Sequence, residues 1–174
     1  ESMRLYRGQL PTIVDEMAKA LIDANHIEVE TDSRAEFLLD LEAVLKEYMR
    51  LQRDINERAK DMVSSRNLDY SQLTKVRQEL SEKKGMGQGD KSMDWLLTQL
   101  TEVLLHSKNV EEVFAEDHTL RKTIRDVLRR YADVDKELDR QVRTRIKNLQ
   151  EGTANWEVEY QRELEGLKTR QRLE

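Results

Sequence analysis

The feature that most constrains the fold is a long stretch of helical periodicity without a helix-breaking residue. From Thr31 to about Ser65 the chain contains neither proline nor glycine. Apolar residues follow one another there in alternating steps of three and four, which is the spacing of a coiled-coil seam. The seam consists of Leu41, Val44, Tyr48, Leu51 and Ile55. The pattern predicts one helix about 50 Å long, and Ser33 and Glu36 have the spacing of a capping box at its start.

Shorter segments flank this long helix. Apolar residues between Leu10 and Asn25 recur at i, i+3 and i+4, which predicts an amphipathic helix. The alternating segment from Asn25 to Glu30 is short and solitary, so we interpret it as an extended connection rather than as part of a sheet. After the long helix, Asp69 or Ser71 is placed to cap a third, shorter helix.

The same pattern returns 83 residues later. Of the 26 apolar residues between Leu10 and Val63, 18 fall on an apolar residue at that offset, against about ten expected by chance at 37% hydrophobic composition. Tyr48 falls on Tyr131 without any gap. We predict a duplication, with a second long helix capped by Asp117 and ended by Gly152. A last helix should begin at Thr153 and bury Trp156, Tyr160, Leu164 and Leu167.

These patterns predict an all-α, elongated helical bundle built from two tandem three-helix units, each short–long–short. We expect residues 1–84 to form the first repeat, residues 85–91 a glycine-rich linker and residues 92–174 the second repeat. Glu1 and Ser2 precede Met3, the expected initiator. Each unit alone would have a thin core, so we expect the two long helices to pair along their seams and bury both at once.

Composition excludes several kinds of site. The chain has no cysteine, which rules out disulfides, zinc–thiolate sites, iron–sulfur clusters and thiol catalysis and favours the cytosol. No apolar run exceeds three residues, so we predict no membrane-spanning segment. The net charge of -5 argues against a dedicated nucleic-acid binder, although not against a local basic face.

One such face is predicted on the second long helix. From Arg121 to Lys147 the chain has ten basic and five acidic residues, whereas Arg34 to Arg66 has seven of each. The candidate partner-binding residues, called the basic face below, are Arg121, Arg125, Arg129, Arg140, Arg143 and Lys147. They could follow a phosphate backbone or an acidic partner. The alternative is a solvated face, or one paired with the acidic residues of the first repeat, Glu28, Glu30, Asp32, Glu36 and Asp40.

No pattern predicts catalysis. The linker lacks the sixth-position glycine of a dinucleotide-binding loop, where Asp90 stands, and no nucleophile elbow occurs. A hydrolase with a carboxylate-bound metal could use Glu112, Glu116 and His118 as ligands. The better explanation is that the acidic residues here lie at the surface and compensate the dipole of the second long helix. We therefore expect no enzyme, no cofactor and no metal.

The opening Met3-Arg4-Leu5-Tyr6-Arg7-Gly8-Gln9, the helices rich in acidic residues and arginine, and the total length resemble a bacterial family known only as domain of unknown function 507. The resemblance covers nearly the whole chain. It implies a bacterial, cytoplasmic protein and carries no activity, cofactor or site residue.

The function that we expect is therefore that of a non-enzymatic helical interaction or scaffold protein, which binds protein partners on its long helices and self-associates as a homodimer. The alternative is a nucleic-acid-associated regulator that uses the basic face. Such binding would weaken steeply with added salt, because each phosphate contact releases counterions.

Overall fold

Six helices and two very short strands follow one another along the computed structural model, which describes residues 3–174. The expected residues before the initiator, Glu1 and Ser2, lie outside the described residues. The elements are α1 (Leu10–Asp23), β1 (Ile27–Glu28), α2 (Arg34–Ser65), α3 (Leu73–Lys83), α4 (Asp90–His106), β2 (Glu112–Val113), α5 (Asp117–Arg145) and α6 (Ala154–Gln171). The all-α prediction is confirmed. The long helix predicted to end near Ser65 ends there.

The predicted ends of the other helices are only partly correct. Thr153 caps α6, and its hydroxyl accepts a hydrogen bond from the backbone N–H of Trp156 at 3.2 Å. The Ser33 side chain, in contrast, makes no capping hydrogen bond at the start of α2. Asp117 is the first residue of α5 rather than its cap, and α5 ends at Arg145, well before Gly152. The approximate position of a helix end is thus easier to predict than the side chain that caps it.

The interpretation of residues 25–30 as an extended connection outside any sheet is wrong in one respect, because this segment contains β1. This strand pairs antiparallel with β2, with Ile27 opposite Val113 and Glu28 opposite Glu112. The backbone N–H of Phe114 also donates to the carbonyl of His26 at 2.8 Å. Two residues cannot form a strand alone. The pairing exists only because the fold brings together two segments that are far apart in sequence.

The prediction that the two long helices pair along their seams is not confirmed. Helix α1 packs against α2 and α5, and α4 packs against the same two helices, whereas α2 and α5 are not among the closely packed pairs of residues 3–174. The four helices therefore form a ring in which α2 and α5 are not neighbours. The physical reason is that α1 and α4 each have an apolar face of their own, and the ring buries all four faces together. The duplication and the division into repeats stay predictions.

The buried face of α2 differs from the predicted seam. Phe37 and Leu45 are completely buried, whereas Val44 and Leu51 are only half-buried. The residues of α2 that enter the core are Phe37, Leu41, Leu45, Tyr48, Ile55, Ala59 and Val63. The period is therefore helical as predicted, but Val44 is only half-buried and lines a depression of the surface.

The buried side chains form two separate clusters. The central cluster takes residues from α1 to α5 and includes Phe37, Leu97 and Ile124. The small cluster joins the end of α5 to α6 and includes Trp156 and Leu164. Between the two, residues 129–137 of α5 bury no side chain completely, and Val134 is 37% exposed.

An N-terminal strap (residues 3–9) lies between α2 and the α5–α6 pair. The carbonyl of Met3 accepts hydrogen bonds from the Tyr48 hydroxyl at 2.6 Å and from Gln52 at 2.9 Å. The Tyr6 ring belongs to the small cluster. At Gly8, a Cβ would lie 2.7 Å from the carbonyl oxygen of Arg172, so only glycine permits this approach of the two chain ends. The strap connects the two clusters.

The predicted glycine-rich linker is packed against the bundle. Met86, the second residue of this segment, is only 1% exposed and belongs to the central cluster. The hydroxyl of Ser81 donates to the carbonyl of Gly87, whose φ of +65° is the left-handed region that glycine adopts freely. Among residues 3–174, no helix is both long and apolar enough to cross a membrane.

Candidate protein-binding groove

An apolar depression of the described surface lies between α2 and α4, and we name it the α2–α4 groove. The two helices run antiparallel, since Asp40 near the start of α2 accepts hydrogen bonds from Ser107 at 2.6 Å and Asn109 at 2.8 Å, just beyond α4. The groove has a volume of about 740 Å³. Its apolar wall consists of Ala43, Val44, Trp95 and Val103.

Trp95 is the principal side chain of this groove. The centre of its ring lies 6.1 Å from the centre of the buried Tyr48 ring, and the two planes are tilted by 33°. Tyr48 therefore supports the Trp95 ring on the side that faces the core. The Trp95 side chain is itself only half-buried and lines the groove. A partly exposed tryptophan held rigidly by the core is the kind of side chain that dominates binding energy in protein interfaces.

One end of the groove adjoins a strongly acidic surface. Residues 28–40 and 111–117 lie side by side because β1 pairs with β2, and together they carry nine acidic residues and one basic residue, Arg34. We name these two segments the acidic end. Within residues 3–174, the carboxylates without any ion pair closer than 4.0 Å include Glu28, Glu30, Asp32, Glu36, Glu111 and Glu112. Most of this negative charge is therefore not neutralised within the described chain, the exceptions being Asp117 with Arg121 and Glu116 with His118.

The basic face is largely occupied by local contacts. Arg121 donates to Asp117 at 2.9 Å and to Thr98 at 2.7 Å, and Arg140 donates to Glu137 at 2.6 Å. Arg143 pairs with Asp139 and Glu151, each at 2.9 Å, and its guanidinium lies 5.2 Å from the centre of the Trp156 ring. The alternative pairing with the acidic residues of the first repeat is not formed within the described chain.

The remaining residues of the basic face do not form a clean cationic surface. Arg125 and Arg129 line a second groove of about 660 Å³, but four aspartates line it too. These are Asp90, Asp94, Asp135 and Asp139. Lys147 lies beyond the end of α5, so it does not continue the stripe on that helix as predicted. An anionic backbone would meet alternating charges here.

Asp135 is the carboxylate with the most unusual surroundings. One of its oxygens accepts from the Tyr6 hydroxyl at 3.0 Å and the other from the backbone N–H of Arg4 at 3.1 Å. Burial raises the pKa of Asp135, although these hydrogen bonds and the nearby Arg4 oppose the change. A polar cavity of about 100 Å³ adjoins it. Because both oxygens hold the N-terminal strap, we assign Asp135 a structural role.

The three residues considered as metal ligands are not brought together as a ligand set. His118 and Glu116 approach each other at 3.4 Å, with both side chains largely exposed. No group of three or more potential ligands occurs within residues 3–174. Glu112, Glu116 and His118 therefore do not form such a group in the described chain.

The comparison with known families agrees with the resemblance in the sequence. A family profile described as a protein of unknown function (DUF507) matches residues 3–173. The chain belongs to the DUF507 family. No curated protein matches this DUF507 chain. Membership of DUF507 therefore assigns a family but no activity to this chain. The indications of function lie in the surface of the structure.

The α2–α4 groove is the part of this DUF507 structure that sequence reasoning missed. The sequence pattern places Val44 in the predicted seam of α2 and predicts no role for Trp95. The available signal was that α2 has apolar residues on a wider arc than one seam needs, since Val44 adds to Leu41, Leu45 and Tyr48. Which of these residues would be left at the surface depended on where α4 packs.

Proposed function

We propose that this protein is a non-enzymatic interaction module that binds a partner protein in the α2–α4 groove. The observation that carries the proposal is the half-buried Trp95 in an apolar groove, on a chain of which 37% is charged. An apolar depression of this size has a free-energy cost in water that a partner side chain would remove. The basic face is less suited, because Arg121, Arg140 and Arg143 already have partners within the chain. The groove lined by Arg125 and Arg129 is also lined by four aspartates.

Two expectations from the sequence remain part of this proposal. The first is the absence of catalysis, which is supported by the structural use of both oxygens of Asp135. The second is self-association, in which two copies of the chain would pair with each other. Sedimentation velocity over a range of protein concentrations distinguishes a self-associating protein from a monomer that needs another protein.

Site-specific photo-cross-linking tests the groove directly. A benzoylphenylalanine introduced in place of Gln99, which lines the groove, should cross-link a discrete partner in cells that carry the gene. The same group in place of Val158, a 56% exposed residue of α6, serves as the matched control and should not. Circular dichroism and thermal unfolding of both variants show whether the fold is retained.

Competition with unlabelled protein adds a quantitative outcome. Excess wild-type protein should suppress the cross-link from position 99, and Val44→Glu should compete about tenfold less well, because it places a charge in the apolar wall. The double variant Arg125→Glu, Arg129→Glu should compete like the wild type. Equal cross-linking from positions 99 and 158 would contradict the proposal. A cross-link that nuclease removes and that the double variant no longer suppresses would instead favour the nucleic-acid alternative.

A further inference from the structure

The walls of the α2–α4 groove indicate which secondary structure a bound segment has. Both walls are helices, whose backbone N–H and C=O groups are already paired within each helix. An extended segment would find no free edge to pair with and would lose hydrogen bonds to water. A helix satisfies its own backbone groups and can present apolar side chains along one face. The groove is therefore suited to a helical occupant.

The length of the groove sets the length of that helix. The groove follows α4 from Trp95 to His106, which is about 16 Å at the rise of an α-helix. An occupant of about three turns covers this distance, with its apolar residues at i, i+3, i+4 and i+7. On α2 the groove extends from Asp40 to Glu47, so the occupant would cross both helices near Val44 and Val103.

The charges around the groove indicate the polar face of the occupant. The acidic side chains of the groove lining are Asp40, Glu47 and Glu102, and Lys108 is the basic one. Glu47 already pairs with Arg50 at 2.7 Å and Glu102 with His106 at 3.0 Å, so Asp40 is the carboxylate of the lining that has no ion pair within residues 3–174. Beyond Asn109 the chain continues into the acidic end, where most of the carboxylates, Glu111 and Glu112 among them, have no ion pair closer than 4.0 Å within residues 3–174. An occupant with a basic polar face would neutralise this charge, and an acidic one would be repelled.

We infer that the α2–α4 groove binds an amphipathic helix with a basic polar face, donated by another protein. This inference rests on the proposed function and specifies the chemistry of the partner. It excludes a second copy of this chain as the occupant. The helix of this chain with the most basic surface, α5, has most of its apolar side chains buried in the two clusters. Val134 is its one large exposed apolar side chain, so α5 has no continuous apolar face to offer to another molecule.

Three synthetic peptides of about 18 residues, measured by fluorescence anisotropy with the full chain, test the inference. The first has leucines at i, i+3, i+4 and i+7 and lysines on its polar face. The second has glutamates in place of the lysines. The third has the composition of the first in an order that destroys the apolar face. We expect the first peptide to bind about tenfold more tightly than either of the others, because only it matches both the groove and its charge.

Two protein variants distinguish the groove from non-specific attraction. Val44→Glu should abolish binding of the lysine peptide, and Glu111→Lys with Glu112→Lys should weaken it several-fold and reduce its dependence on salt. Val158→Glu is the matched control for an added surface charge and should leave binding unchanged. The expected salt dependence is a loss of affinity between about 50 and about 200 mM, since exposed charges are then increasingly screened.

The outcomes separate this inference from the proposed function. If the glutamate or the scrambled peptide binds as tightly as the first, or if none binds, the inference is overturned. It is also overturned if sedimentation shows a dimer that Val44→Glu dissociates, since the occupant is then a second copy. The cross-link from position 99 does not depend on any peptide. A partner trapped there despite negative peptide results would leave the proposed function standing, whereas no trapped partner would remove it.

Discussion

The two buried clusters of this protein differ in what holds them together. The central cluster is almost entirely aliphatic, with Phe37 and Tyr48 as its large buried rings, and is enclosed by helices from both halves of the chain. The small cluster depends on aromatic side chains with polar partners. The Trp156 and Tyr160 rings stack with centres 5.1 Å apart, and the Tyr160 hydroxyl donates to Asp139 at 2.5 Å.

This difference follows from the number of helices available. Four helices can close around a purely apolar interior, whereas two helices leave one side of their contact exposed to water. Aromatic residues suit such a half-open contact, because the ring is buried while the hydroxyl reaches a partner at the edge. Cations also cover these rings, with Arg4 5.3 Å from the Tyr160 centre and Lys168 5.6 Å from the Tyr6 centre. We therefore expect the central cluster to dominate the stability of the fold.

Matched leucine truncations should give the largest difference between the clusters. Leu97→Ala leaves a cavity enclosed on all sides and should lower the free energy of unfolding by about 4 kcal/mol. Leu164→Ala, in the small cluster, should cost about 2 kcal/mol because the neighbouring side chains can relax toward the cavity. Chemical denaturation measures both values. A greater loss for Leu164→Ala than for Leu97→Ala would reverse the comparison.

Removing the hydroxyl of Tyr6 should affect the connection between the clusters. Tyr6→Phe keeps the ring buried but removes the hydrogen bond to Asp135, so we expect a loss of about 1.5 kcal/mol. Tyr70→Phe is the control, since the Tyr70 hydroxyl makes no hydrogen bond within residues 3–174. Hydrogen exchange should show faster opening of α6 in the Tyr6 variant only. Equal effects of both substitutions would mean that the strap does not hold the small cluster.

The start of α6 offers a smaller test. Thr153→Ala removes the side chain that accepts from the N–H of Trp156, and it should cost about 1 kcal/mol. Ser33→Ala at the start of α2 is the matched control, because the Ser33 hydroxyl makes no capping hydrogen bond and its loss should be within about 0.5 kcal/mol. Thermal unfolding of the two variants side by side checks this order, and a larger effect at Ser33 would contradict it.

The pH dependence of stability should differ between a buried and an exposed carboxyl of α5. Because burial raises the pKa of Asp135, the folded protein holds its proton at a pH where the unfolded chain has lost it. The stabilising contribution of this proton is fully present below the unfolded pKa and is lost as the pH rises through the folded one. Asp135→Asn keeps a neutral group at every pH. The stability of this variant relative to the wild type should therefore increase as the pH rises from the unfolded to the folded pKa of Asp135.

Glu137 should behave in the opposite way. Its hydrogen bond from Arg140 lowers the pKa of Glu137 to about 2, so its contribution is present above the unfolded pKa and is lost as the pH falls. Relative to the wild type, Glu137→Gln should therefore become less stable as the pH rises from acid to neutral. Urea denaturation across the pH range, with both variants, measures the two signs. Curves that change in the same direction for both would refute the assignment.

Several features of the fold could be predicted from the sequence because they depend on residues near one another in the chain. The end of α2 near Ser65 and the capping of α6 by Thr153 follow from local periodicity and local hydrogen bonds. The same holds for the buried face of α6, where Trp156, Tyr160, Leu164 and Leu167 are all buried as predicted. The family could also be recognised, since the N-terminal residues and the helical texture resemble DUF507.

The sequence by itself determined six amphipathic helices, their approximate lengths and the absence of cysteine chemistry, because each of these is a property of composition or of a single helix. Only the tertiary structure decided which helices are neighbours. It separated α2 from α5, paired β1 with β2 and left Val44 and Trp95 at the surface of a groove. Periodicity shows that a helix has an apolar face but not which helix will cover it, so a surface formed between two helices is settled only by packing.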